Sequence, residues 1–312
     1  MRPLTIYAGA ALGRYGFGAG HPFGTDRLEA FWREALSRGI DRRAVVADPV
    51  PAGDDAIAQF HDLSYITRVR LQSGLGQGYL DYGDTPAVPG IFEAAAHVVG
   101  SGLAALTRIL DGDSPRAFVP IGGLHHARRD RAGGFCVFND IGVIIEALKR
   151  RGFERIAYVD IDAHHGDGVY YAFEDDPSVY FADIHEDGHF LYPGTGAREE
   201  RGRDEGAGRK LNIPLAPGAG DVQFSAAWPE VEALIRTARP QIVLMQAGAD
   251  SIAGDPLAHL HLTPASHRYA ARSLRRIADE YAEGKLIVFG GGGYNRGNIA
   301  TTWSEVVEEL LV

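Results

Sequence analysis

The 312-residue chain has one cysteine, Cys136, and so can form no intramolecular disulfide. A thiol-rich zinc site is excluded with it, and any metal must be held by histidine and carboxylate. Lysine is also scarce: only Lys149, Lys210 and Lys285 occur, and arginine carries the rest of the positive charge. Acidic residues outnumber basic ones by 41 to 31, a formal net charge of −10. That balance argues against a chain whose main task is to grip a phosphate backbone, and no direct nucleic-acid partner is expected. The basic run Ala127–Arg131, interrupted by Asp130, reads as a solvated face. No apolar run approaches membrane-spanning length, and the opening MRPLTIYAGA lacks the long apolar segment of a secretory signal. No membrane association is expected, and a cytoplasmic location follows by default. Linkers rich in Pro or Ser, internal repeats and low-complexity tracts are missing too, so residues 1–312 are expected to form a single domain.

What is present is a regular alternation. With 45% hydrophobic residues the chain can bury a substantial core. Apolar strand-like runs recur at Leu4–Tyr7, Ala44–Val46, Ala117–Val119, Ile156–Val159, Val179–Phe181, Leu211–Ile213, Ile242–Met245 and Leu286–Phe289. Helix-period segments lie between many of them, notably 26–38, 90–110, 140–150, 223–238, 265–283 and 298–311. Continuous apolar strands alternating with helices predict an open, mainly parallel α/β sheet of about eight strands with helices on both faces. Asn139 or Asp140 is expected to cap the helix that follows. In such sheets the ligand crevice lies outside the carboxyl ends of the strands. The chemically loaded, glycine-rich segments 120–126, 160–168, 183–196, 246–256 and 290–295 all fall there.

The densest of these is DIDAHHGDG at 160–168, directly after the apolar run Ile156–Val159. Side chains alternate along a strand, so Asp160, Asp162 and His164 point the same way if extended geometry persists. A carboxylate and an imidazole converging at a strand end make two ligands of a metal site that needs a third. Asp250, after the run Ile242–Met245, is placed to supply it; Asp255 is an alternative, although Gly-Asp-Pro is more often a turn device. Two carboxylates and one imidazole leave an open position for water and substrate, the arrangement of a catalytic site.

Protons must also be moved. His125 and His126 follow the strand run Ala117–Val119 and suit a division of labour. One, neutral, takes a proton from the activated water; the other, charged, supports the developing oxyanion or protonates the leaving amine. Each needs a carboxylate behind it, and Asp160 and Asp167 are available. The glycine run 290–293 then delivers Tyr294, whose hydroxyl either donates to an oxyanion or belongs to an ordinary packed tyrosine.

With these pieces together, the chain resembles the histone deacetylase superfamily, which shares the arginase-like α/β fold. GGLHHA at 122–127, GFCVFND at 134–140, DIDAHHGDG, YPGTG at 192–196, GADSIAGDP at 248–256 and GGGGY at 290–294 occur in the family's order. The resemblance implies that Asp162, His164 and Asp250 hold zinc, or ferrous iron in its place. It also implies that His125 and His126 are an acid/base pair backed by Asp160 and Asp167 respectively, and that Tyr294 is the oxyanion donor. By the same resemblance Gly134, Phe135 and Tyr192 line a tunnel for an extended lysine chain, Tyr192 standing where most relatives carry Phe. Leu257 and Asp84 lie at its rim, the latter binding backbone amides of a peptide. Structural monovalent cations, typically K+, are implied at two places. One involves Asp160, Asp162, His164 and Asp183, with Asp183 departing from the usual serine; the other lies near Phe173, Asp176 and Val179. The segment 185–196 and the compact length look closer to prokaryotic members, the acetoin-utilisation-type proteins and acetylpolyamine amidohydrolases.

The expected activity is therefore zinc-dependent removal of acetyl or another short acyl group from the ε-amine of lysine in proteins or peptides. A deacetylase of small acetylated amines such as polyamines is the first rival. An arginase-like dinuclear hydrolase and a non-catalytic acyl-lysine binder are the others. A dinuclear centre wants a further carboxylate-rich ligand set on the later strand, where GADSIAGDP supplies only one well-placed aspartate, and no catalytic residue is missing as a mere binder would suggest.

Overall fold

The computed structural model describes residues 4–312; the first three residues of the opening segment lie outside them. Eight strands form one sheet: β1 (Leu4–Tyr7), β2 (Val45–Ala47), β3 (Arg116–Val119), β4 (Ile156–Asp160), β5 (Val179–Glu186), β6 (Lys210–Leu215), β7 (Ile242–Gln246) and β8 (Leu286–Phe289). Their order is β2-β1-β3-β8-β7-β4-β5-β6, and every neighbouring pair is parallel. The sheet is thus wholly rather than mainly parallel, and all eight apolar runs are strands.

Eleven helices are found among the described residues: α1 (Ala10–Gly13), α2 (Arg27–Ser37), α3 (Ile40–Arg43), α4 (Asp54–Ile57), α5 (Leu63–Leu75), α6 (Ile91–Leu110), α7 (Asp140–Lys149), α8 (Asp167–Ala172), α9 (Asp221–Ala238), α10 (Pro264–Tyr281) and α11 (Arg296–Leu310). Each residue of β1, β3, β4, β7 and β8 is buried. Because strand side chains alternate, both faces of the sheet must be covered. On one face Phe118 meets Phe31 of α2 and Trp303 of α11. Its neighbour Val119, paired with Phe289, turns to the other face, where Phe289 approaches α6 at Gly102. The apolar interior is one continuous cluster. No helix of the described residues is long and apolar enough to cross a membrane.

Register fixes where the chemistry falls. Val119 pairs with Phe289, Phe289 with Gln246, Gln246 with Asp160 and Asp160 with Asp183. The ends of β3, β8, β7 and β4 are therefore level, with Asp183 of β5 beside them before that strand runs on to Glu186, and the loops that follow open onto one crevice. Asn139 is the cap of α7, its side chain accepting from the amide of Gly142 at 2.8 Å. The same side chain donates to the carbonyl of Ala127 at 2.9 Å, tying that helix to the histidine loop.

Candidate active site

Three buried side chains meet above β4 and β7. His164 Nδ1 lies 3.0 Å from Asp162 Oδ1 and 3.3 Å from Asp250 Oδ2. Ligand atoms of the three residues all fall within 4.8 Å of one another. Asp162 Oδ2 accepts from Gln246 Nε2 at 2.7 Å and from the Gly292 amide at 2.8 Å. Asp250 Oδ1 accepts from the Ala163 amide at 2.9 Å, while its Oδ2 is buried without a hydrogen-bond partner. A buried carboxylate oxygen left without a donor is costly, and a cation at this spot would satisfy it.

Burial opposes charge on His164, but its hydrogen bond to Asp162 and the adjacent carboxylate of Asp250 outweigh it and hold the imidazole up at about 10. Burial and the adjacent Asp162 push Asp250 up to about 7. The buried donor set of one imidazole and two carboxylates fits a divalent metal ion. Backbone packs tightly against it: a Cβ on Gly292 would lie 2.0 Å from Asp250 Oδ2. Asp255, the alternative third ligand, is a turn device after all. Its carboxylate accepts from the amides of Leu257 at 2.9 Å and Tyr294 at 2.7 Å, so it holds the loop that carries the tyrosine.

Beside this cluster stand two histidine–aspartate pairs. His125 Nδ1 faces Asp160 Oδ2 at 2.7 Å, and His126 Nδ1 faces Asp167 Oδ1 at 2.7 Å. The two Nε2 atoms are 3.1 Å apart. Burial lowers His125, but the charges of Asp160 and Asp162 raise it further, to about 9. Burial and the neighbouring His125 push His126 down to about 4. One imidazole is thus held charged and the other neutral. Tyr158 donates to Asp160 Oδ2, and Arg128 Nη2 donates to Asp167 Oδ2 at 2.7 Å. The basic run is therefore not merely a solvated face: Arg128 buttresses the site, and Arg129 binds Glu146 at 2.7 Å. Asp140 accepts from the amides of Gly123 and Leu124 at 2.9 and 2.8 Å and fixes the histidine loop from below.

Tyr294 is half-buried, its ring edge-on to Phe23 and Phe135 at centroid distances of 6.4 and 5.7 Å. Burial and the charges of Asp250 and Asp162 keep its phenol protonated, well above the usual value. A small void of about 10 Å3, the scale of one water, touches His126, Asp162, His164 and Tyr294. Gly134 and Phe135 both adopt positive φ, 52° and 67°. A Cβ on Gly134 would lie 2.4 Å from His126 Cδ2 and 2.9 Å from Tyr192 Cε1, so the entrance is narrow there. Tyr192 stacks edge-on to His126 at 5.0 Å. Tyr15 donates to the Phe135 carbonyl at 2.7 Å and holds that wall.

At the rim, Asp81 Oδ1 accepts three amides, those of Gly83, Asp84 and Thr85, at 3.0, 3.1 and 3.0 Å. Asp84 is exposed as a residue, but partial desolvation of its carboxyl, together with the hydrogen bond and charge of Asp81, raises it to about 7. Leu257 is partly exposed on the loop after Asp250. Asp183 is engaged on both oxygens, accepting from the Gly166 amide at 2.8 Å and facing His185 Nδ1 at 2.8 Å. Lys210 donates to main-chain carbonyls at Asp176 and Val179, and burial lowers it to about 8.

Sequence reasoning missed several supports. Arg27, buried between Phe23 and Trp303, donates to the carbonyls of Gly293 and Gly291 at 2.9 and 2.5 Å and locks the tyrosine loop. Gln246 and Tyr158 sit on strands, where a single polar residue among apolar ones carries no distinctive spacing. A polar residue at the carboxyl end of a central strand was the available signal for Gln246. A larger cleft of about 1110 Å3 lies at the β1–β2 edge between α2 and α6, and holds none of the expected site residues.

A parallel sheet whose strand ends gather an Asp-His-Asp cluster and two His-Asp pairs defines a metal-dependent hydrolase acting on amides. Residues 21–310 match the histone deacetylase domain, and the chain belongs to the histone deacetylase family. Its relatives include the acetoin utilization protein AcuC of Bacillus subtilis (strain 168), 34% identical over 322 residues, 99% of this chain and 82% of the relative. AcuC of Staphylococcus xylosus is 33% identical over 315 residues, 98% and 82% of the two chains. Among solved structures, the crystal structure of the HDA15 HD domain matches with a TM-score of 0.91 at 28% identity, covering 99% of this chain and 88% of that one.

Proposed function

We propose that this AcuC-like chain is a zinc-dependent amidohydrolase that removes acetyl or short acyl groups from the ε-amine of lysine in proteins or peptides. The observation that carries this reading is the meeting of Asp162, His164 and Asp250 within 4.8 Å, beside two histidines each backed by its own aspartate. A divalent ion bound by those three residues would supply Lewis acidity, polarising the acyl carbonyl and lowering the pKa of water.

The chain's own residues do the rest. His126, held neutral, is the base that removes the water proton; His125, held charged by Asp160, stabilises negative charge as the carbonyl carbon becomes tetrahedral. Tyr294, protonated and facing the void, donates to that oxyanion. The leaving lysine amine takes a proton from the histidine pair, whose titrations are coupled. Gly134, Phe135 and Tyr192 flank the methylene stem, and Leu257 and Asp84 meet the substrate at the mouth.

The second reading is a deacetylase of small acetylated amines, which offer the exposed Asp84 at the rim no backbone amides to bind. Metal-reconstituted protein assayed on acylated lysine peptides and on acetylputrescine separates the readings. Turnover of acetyl-lysine peptide is expected. A large preference for the acetylated amine would move the substrate class, and binding without turnover of any substrate would leave a non-catalytic acyl-lysine binder.

A further inference from the structure

Lys210 opens β6, is fully buried, and is the one lysine of the three that points into the molecule among main-chain carbonyls. Its Nζ donates to the carbonyl of Asp176 at 2.9 Å and to that of Val179 at 2.6 Å. Those carbonyls belong to the turn between α8 and β5 and to the first residue of β5, a tightly built junction. The Asp176 amide donates to the Phe173 carbonyl at 3.1 Å, Ser178 donates twice to Asp176 Oδ1 at 2.8 and 2.6 Å, and Lys149 Nζ is 2.5 Å from Asp176 Oδ2. The segment 202–206 covers the lysine from outside: a Cβ on Gly202 would come within 2.9 Å of Lys210 Cγ.

Buried carbonyls that point at one spot need a donor or a cation there. An ammonium is a compact point charge with three donors, and resembles a dehydrated monovalent cation in what it offers oxygen ligands. The family resemblance implies a monovalent cation at Phe173, Asp176 and Val179, and the residues present do not fit that ion, because a side chain already fills the position. We propose that the Lys210 ammonium is a built-in replacement for a structural monovalent cation, so that the α8–β5 turn needs no ion from solution. The turn follows α8, whose first residue Asp167 holds His126, so the tethered charge keeps the acid/base pair in register whatever the ionic composition outside.

The test compares zinc-loaded wild type with Lys210→Ala, which empties the position, in KCl and in choline chloride at equal ionic strength. In choline chloride the variant should melt about 5 °C below wild type, the scale expected for losing buried charge-assisted hydrogen bonds. KCl should restore much of that loss in the variant. Any potassium response from the Asp183 region would appear equally in both proteins, so the difference between them is the readout. Thallous ion soaked into crystals should give an anomalous peak at the Asp176 and Val179 carbonyls in the variant and none in wild type. A thallium peak there in wild type, or equal melting and equal potassium response in both proteins, would overturn the proposal. If the variant does not fold, the wild-type thallium crystal alone decides.

Discussion

Two places in this molecule gather oxygen ligands around a point that calls for positive charge, and they meet the demand differently. Above β4 and β7, Asp162, His164 and Asp250 converge while Asp250 Oδ2 is left buried and undonated. Beneath β5, the carbonyls of Asp176 and Val179 receive the ammonium of Lys210 from within the chain. The contrast teaches where an exchangeable ion earns its place. A tethered ammonium can hold a turn, but it has no vacant orbital with which to polarise a carbonyl or acidify water. The position that must do chemistry is left for a metal, and the position that must only hold shape is closed by the sequence.

The largest effect that can break this contrast is metal removal. Dialysis against a strong chelator should bring amide hydrolysis to background and leave the α8–β5 turn intact, read by activity and by near-UV circular dichroism; undiminished turnover would remove the metal from the chemistry. Next, Tyr294→Phe should lower kcat about a hundredfold or more with little change in KM, as expected when an oxyanion donor is lost. A variant with wild-type kcat would show the phenol to be packing alone.

The histidine pair sharpens the comparison through pH. Activity that needs neutral His126 is lost as pH falls through its pKa. Burial and the charge of His125 lower that pKa to about 4, so the acid limb of kcat/KM should lie below the ordinary histidine value of about 6.5. His125→Ala removes the neighbouring charge and should shift that limb upward; an unshifted profile would mean the two rings do not interact. A smaller effect is expected from Asp84→Asn, which should raise KM for a peptide several-fold while leaving acetylputrescine unaffected. Equal effects on both substrates would rule out recognition of peptide amides. Smallest, Asn139→Ala should cost about 1 kcal/mol through loss of the α7 cap, measured by denaturant unfolding. No change in stability would show the cap to be idle.

Much of the fold was legible because its strands are unambiguous. A run such as Ile156–Val159 is buried on both faces, so every position is apolar and the parallel sheet follows. The short helices α1, α3, α4 and α8 span six residues or fewer, too few for a period to show. Helix α5 was missed for a different reason: it exposes Leu63, Leu71 and Leu75 while burying Ser73, which blurs its apolar stripe. In the site, the Asp and His residues stood out because they are contiguous in DIDAHHGDG and GGLHHA. Arg27 and Arg128 did not, since nothing in a lone arginine's neighbours tells that its guanidinium will reach a glycine loop or an aspartate far along the chain.

The central claim is that Asp162, His164 and Asp250 together hold one divalent ion on which hydrolysis depends. The most direct measurement is the number of ions bound per chain after equilibrium dialysis against zinc, for wild type and for Asp250→Ala. The account predicts one ion per wild-type chain and essentially none in the variant. Two tightly held ions per wild-type chain, or a full ion retained by the variant, would contradict it.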